Sequence, residues 1–287
     1  MYKTFQTHFQ LFVTKHPELV ENTLSNIFTM RLIGNKTHGD MAEVGISEFI
    51  SQFMYNYDSK HVGKDKFRAK EHEEDIIIID ELSKIEIPVS LKAYGDGPLQ
   101  LSTDKQELMF PTLLCVGKQD INNLDEIQSI LSSEAFAGFS STNVMPLIYR
   151  EDKMDCNIMV FDFERALSDI ERILFIPEGY TYDTELGQIV TDKHRTHPIF
   201  VFLNSNGNYI CEVRYGGRTA NALQRGLWTN TKKATPYFNS LTNGWIPYSH
   251  NQELVKLIRL ALNASKEGHV AANKILQEDI DRLFINK

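Results

Sequence analysis

The stretch EEDIIIIDELSKIEIPVSLKAYG, residues 73–95, decides the fold. Its first half is a run of four isoleucines, 76–79, flanked by acids, which is the composition of a short buried strand. Its second half alternates without a break. Ile85, Ile87, Val89 and Leu91 fall on one strand face, and Glu86, Pro88, Ser90 and Lys92 on the other. Asp75 opens the first strand, preceded by Glu74, and Lys92 follows 17 residues later. Ser90 and Lys92 can therefore both point at a metal ion held by Asp75. Phosphodiester hydrolysis needs such a set, because carboxylates hold Mg2+, which polarises the phosphate and lowers the pKa of attacking water. A lysine beside them orients that water or stabilises developing charge. On spacing alone, the same pattern also fits an exposed lysine paired with an acidic turn.

Working outward, the remaining strands are expected at 111–117, 143–149 and 156–163, with helical patterns around 119–136 and 164–172. The segment HPIFVFLNSNGNYICEVRYGG, 197–217, places two β-rich runs around Asn206-Gly207, the dipeptide of tight hairpin turns. The first 60 residues and roughly 250–285 read as helices. In the helix before the strands, Ile46, Phe49, Ile50, Phe53, Met54 and Tyr57 form an apolar stripe. Glu43 falls on the edge of that stripe and Glu48 on the opposite side, so Glu43 is expected to point inward. Intermixed helices and strands with a hairpin give an α/β or α+β class with a mixed sheet. No repeat or linker divides the chain, so its 287 residues read as one domain. Three cysteines without CxxC spacing fit a reducing cytoplasm, and no apolar run predicts a membrane span or signal peptide.

Charge is distributed unevenly. The net charge is −8, yet residues 193–233 hold seven Lys or Arg against Glu212 alone, leaving 23 basic and 37 acidic residues elsewhere. A second cationic stretch, KHVGKDKFRAK at 60–70, has five basic residues and one acid. Two cationic zones on an acidic body suit a protein that grips a polyanion on one face. Within CEVRYGGRTANALQRGLWTNTKK, 211–233, a short helix would cluster Arg218, Asn221, Gln224 and Arg225 on one side, after Arg214 at the strand end. Arg makes bidentate bonds to guanine, and Asn or Gln to adenine, each pair discriminating by about 1–3 kcal/mol. Lys232 and Lys233 would sit on phosphates and supply affinity. The plainer reading of this stretch is an amphipathic surface helix or a small-anion loop.

IPVSLKAYGDGPLQLST followed by EVRYGGRTANALQRGLWT resembles type II restriction endonucleases of the PD-(D/E)xK nuclease superfamily. The resemblance covers both motif regions and the stretch between them. It implies a restriction-endonuclease-like core at about 40–165, a DNA-reading region at about 193–250 and C-terminal helices at about 250–285. Carried over by position, Asp75 matches the metal-binding Asp and Lys92 the catalytic Lys, while Ser90 stands where a second acid usually stands. Some relatives with Ser-x-Lys take the missing acid from a downstream helix. Glu107 is then the candidate, with Asp75 as its fellow metal ligand. A helix-borne Glu also approaches the metal site in this superfamily, which makes Glu43 the other option, and Glu74 remains a third.

The resemblance further implies Mg2+-dependent, sequence-specific cleavage of double-stranded DNA within a restriction-modification system. A cognate DNA methyltransferase would be a functional partner, and a bacterial cytoplasm the setting. A symmetric target calls for two active sites, hence a homodimer or transient dimer. Two rivals stand beside this reading. One is a catalytically inactive nuclease-fold DNA-binding protein, suggested by Ser90 in place of an acid. The other is a metal-dependent hydrolase of a small phosphorylated ligand.

Overall fold

A computed structural model describes residues 2–31, 38–62, 75–95, 98–104, 106–139, 143–158, 160–161, 163–214, 226–241 and 245–264, with single positions 274, 278 and 281. The fold is α+β. Three helices come first, α1 (Tyr2–Lys15), α2 (Pro17–Arg31) and α3 (His38–Phe53). A first six-stranded mixed sheet follows, with β1 (Tyr57–His61), β2 (Ile76–Asp80), β3 (Glu86–Tyr94), β6 (Asn143–Arg150), β7 (Asp155–Ile158) and β14 (Trp245–Pro247) in that spatial order. All its pairings are antiparallel except β3 with β6. A parallel pair needs a crossover. Here the crossover contains β4 (Pro98–Thr103), α4 (Met109–Cys115), β5 (Asp120–Ile121) and α5 (Leu124–Leu131).

Both crossover strands belong to a second six-stranded sheet. Its other members are β8 (Arg172–Ile176), β11 (Ile199–Leu203), β12 (Tyr209–Arg214) and β13 (Gly226–Asn230), and the order is β4-β13-β12-β11-β8-β5. The remaining elements are α6 (Phe163–Asp169), the hairpin β9 (Tyr180–Asp183) and β10 (Gln188–Thr191), α7 (Thr231–Asn239) and α8 (Gln252–Ala264). The crossover thus stitches the two sheets together.

Strand alternation sorts the first sheet into two faces. Ile76, Ile78, Ile87, Val89 and Leu91 are each at most 5 % exposed, and they pack with Phe5, Phe9, Leu24 and Phe49 of α1–α3. Gly45 lets α2 and α3 meet closely, because a Cβ there would lie 2.6 Å from Ile27 Cγ1. On the other face, Val144 and Ile148 join Phe161, Phe200, Phe202 and Phe238 in the core under the second sheet. Glu43 lies on α3 and is 9 % exposed, with Glu48 exposed on the outer side, as the stripe predicts.

Several expectations need correction. Residues 111–117 read as a strand from their apolar run, but Met109, Phe110 and Leu113 are buried at helical spacing in α4, and Leu114 points out. Pro111 does not oppose this, since a first-turn residue needs no donated N–H. The strand expected over 156–163 stops at Ile158, Phe161 keeps one bridge to Val144, and α6 starts at Phe163. The helical pattern at 119–136 splits into β5, α5 and a 3-10 turn at Glu134–Phe139. The break falls at Asn123, whose side chain accepts from Glu126 N at 2.9 Å and caps α5. The expected hairpin is present as β11–β12, with Gly207 at φ 73° in its turn. Most of the second C-terminal helix lies outside the described residues, apart from helical Lys274, Glu278 and Asp281.

No helix among the described residues is long and apolar enough to cross a membrane. Cys156 and Cys211 are buried, and burial pushes both thiols up, whereas Cys115 is exposed on α4. Because the thiolate is the reacting form, a thiol reagent such as Ellman's should label one cysteine rapidly in the native protein and three in denaturant. Fast labelling of two or more native thiols would contradict this packing.

Candidate active site

The site grows from the β2–β3 register. Ile76 opposes Val89 and Ile78 opposes Ile87. Asp75 stands one residue before β2, and its N–H donates to Val89 O at 3.0 Å. Continuing the pairing brings Asp75 opposite Ser90, with Lys92 two residues further on the same face. The side chains meet there. Asp75 Oδ2 accepts from Leu91 N at 2.7 Å, Ser90 Oγ at 3.1 Å and Lys92 Nζ at 3.3 Å. Ser90 is buried, while Asp75 and Lys92 keep side-chain exposures of 22 % and 40 %. A fixed carboxylate with an ammonium beside it is therefore presented to solvent at a strand end.

Glu43 approaches the same strand end from the other side of the sheet. Its Oε2 lies 3.2 Å from His61 Nε2, and His61 opposes Ile76 in the β1–β2 register. Val62 N then donates to Asp75 O at 3.0 Å. Two bonds beside it fix α3 over β1, Ser47 Oγ to Ser59 Oγ at 2.9 Å and Ser51 Oγ to Asp58 Oδ1 at 2.8 Å. By alternation, the Glu43–His61 pair faces α3, whereas the Asp75–Ser90–Lys92 group faces away from it.

Glu107 is not on a helix. It sits with φ 60° in the turn before α4, its N–H donating to Asp104 O at 3.2 Å, and Asp104 Oδ2 accepts from Met109 N at 2.6 Å. Asp75 and Glu107 share no cluster of three or more metal-ligating side chains, nor does any other such group occur among the described residues. Glu74 lies outside the described residues.

The cationic segment is only partly described. Arg218, Asn221, Gln224 and Arg225 lie outside the described residues, and the rest of the helix expected there is a strand, since Gly226, Leu227 and Trp228 belong to β13. That strand pairs with β4, the strand reached directly after Lys92. Gly226 opposes Thr103 and Asn230 opposes Pro98. Arg214 Nε donates to Glu212 Oε1 at 2.5 Å. Lys232 is exposed in the first turn of α7. Lys233 is committed inward, its Nζ donating to Thr181 Oγ1 and Tyr182 O at 2.8 Å each. Burial holds that ammonium below its ordinary range, so Lys233 braces the β9–β10 hairpin against α7.

Sequence reasoning missed His61 and Arg195. His61 had a signal, since it continues the Tyr57, Ser59 alternation toward α3. Arg195, whose Nη1 lies 3.9 Å from Glu212 Oε1, had none beyond its place in a basic segment.

Comparison of the chain with family models, with curated proteins and with solved structures finds no match.

Because the Lys92–Asp75 pair is partly exposed, its contribution to stability is small, under about 1 kcal/mol. Lys92→Ala should therefore keep its urea midpoint close to the parent's. A loss of several kcal/mol would mean that Lys92 is a structural brace.

Proposed function

We propose that the chain is a Mg2+-dependent endonuclease acting on double-stranded DNA, with a restriction-endonuclease-like core built on α3, β1–β3 and β6. The observation that supports this most is the convergence of Ser90 Oγ, Leu91 N and Lys92 Nζ on one oxygen of Asp75. Three donors on Oδ2 fix the carboxylate plane and leave Oδ1 outside all three bonds. This donor set suits Mg2+, which takes one or two protein carboxylates and completes its shell with water and phosphate oxygens. Asp75 would hold the ion, with Glu74 or Glu107 as a second acid, because Glu43 lies on the other face of the sheet against His61. When bound, Mg2+ supplies Lewis-acid polarisation of the phosphodiester and a lowered pKa for water.

The chain's own groups do the rest. Lys92, 3.3 Å from Asp75 Oδ2, is in reach to orient an attacking water or to meet charge developing on the phosphate. Ser90 and Leu91 N hold Asp75 still, which keeps the reacting geometry from drifting. The basic residues over 193–233 other than the inward Lys233 would steer and hold the duplex. On this reading Arg218, Asn221, Gln224 and Arg225 face base edges, Arg214 and Lys232 contact the DNA beside them, and a homodimer or transient dimer in the cytoplasm cuts a symmetric site that a partner methyltransferase protects. Ser90 in place of an acid favours one second reading, a nuclease-fold protein that binds DNA without cutting it.

Incubating the purified chain with long unmethylated duplex DNA separates these. Discrete fragments with Mg2+ and none with EDTA are expected, and Lys92→Ala should lower the cleavage rate by about 10²-fold or more. DNA left intact in every condition would overturn the endonuclease reading. A gel shift without cleavage would then favour the non-cutting binder.

A further inference from the structure

A second constellation lies on the second sheet, around β12 and β13. Glu212 is buried, with 2 % side-chain exposure, and opposes Trp228 across the strand pair. Its carboxylate accepts from Tyr209 Oη at 2.9 Å and from Arg214 Nε at 2.5 Å, and Arg195 Nη1 lies 3.9 Å away. The Arg214 guanidinium stacks over Trp228, with Cζ 4.9 Å from the ring centroid. Two guanidinium groups thus converge on one carboxylate. Lys233 adds no free donor, since Thr181 and Tyr182 take its ammonium and Asp183 and Asp192 lie nearby.

Two donors in this group lack acceptors. Arg195 Nε and Trp228 Nε1 are both buried without a hydrogen-bond partner. Buried N–H groups are nearly always paired, so such orphans call for an explanation. Unpaired donors on residues beside two guanidinium groups ask for acceptors, and an anion with several acceptor oxygens supplies them. Arg195 and Arg214 keep side-chain exposures of 18 % and 26 %, so their outer edges reach solvent. Contact with Arg195 Nε would require that guanidinium to rotate and turn its Nε edge outward.

We infer that Arg195, Arg214 and Trp228 form a binding site for a phosphate-type oxyanion, with Glu212 holding the guanidinium groups in place. From the sequence, Arg214 is a DNA-binding candidate at the end of its strand and Arg195 and Trp228 have no binding role, so this site gives one residue a specific ligand and recruits two. If the proposed function holds, the oxyanion is a backbone phosphate of the duplex, but the site itself requires only the oxyanion.

Inorganic phosphate is the probe. Trp245→Phe leaves Trp228 as the remaining one of the chain's two tryptophans. At constant ionic strength, phosphate should give a saturable change in its fluorescence and raise the melting temperature, and chloride should not. Arg195→Gln should weaken phosphate binding by about tenfold or more, the worth of one charge-assisted hydrogen bond. Trp228→Phe keeps the ring, drops the N–H, and should shrink the phosphate-induced thermal shift. No saturable response, or one undiminished in both Arg195→Gln and Arg214→Gln, would overturn the site. A short duplex that displaces phosphate identifies the ligand as backbone phosphate. Phosphate binding that the duplex leaves untouched upholds the site with free phosphate as its ligand, and counts against the DNA reading alone.

Discussion

One carboxylate oxygen, Asp75 Oδ2, carries the join between fold and chemistry. It accepts a backbone N–H, a buried hydroxyl and an ammonium from three consecutive residues of β3, all set by the pairing of Ile76 with Val89. A one-residue slip of that register would turn Ile76 and Ile78 out of the core and swing Asp75 away from Ser90. Burial therefore enforces the site, since Ile76, Ile78 and Val89 are fully buried under α1–α3. At about 25 cal/mol per Å² of apolar surface, each such side chain stabilises the register by about 1.5–3 kcal/mol. The hydrogen bonds to Asp75 then select geometry within a register that the core has already fixed.

The crossover between β3 and β6 gives this edge its neighbourhood. It leaves the first sheet after Tyr94, adds β4 to the second sheet beside β13, and returns through α4, β5 and α5. As a result, the strand that follows Lys92 pairs with the strand that ends the cationic segment, although the two are more than a hundred positions apart in the chain. The strand after Lys92 and a strand near the end of the basic segment thus become neighbours through backbone pairing. The helix α3 adds Glu43 from the opposite face of the first sheet, bonded to His61 and anchored by the serine bonds to β1.

Local patterns were legible in the sequence wherever one physical rule dominated. The alternation at 85–92 gave both faces of β3, and the helical stripe gave the inward turn of Glu43, because period alone fixes side-chain direction. Asn206-Gly207 gave the hairpin, because the turn needs a residue at positive φ. Where two rules compete, the reading failed. The apolar run at 111–117 fits strand and helix alike, and only packing against the second sheet decides for α4. Pairing across the two sheets was not legible, since the β4–β13 contact depends on tertiary closure. The convergence of Arg195 and Arg214 on Glu212 is hidden for the same reason. A basic segment reads as solvent-facing charge until its one acid is seen to be buried.

In the proposed function Asp75 anchors a divalent cation, and Mn2+ in place of Mg2+ tests that directly. In amide NMR spectra, substoichiometric Mn2+ should broaden the Asp75, Ser90, Leu91 and Lys92 signals before others, with excess Mg2+ restoring them and Asp75→Asn abolishing the effect. Uniform broadening, or selective broadening that persists in Asp75→Asn, would contradict the account by placing the ion elsewhere.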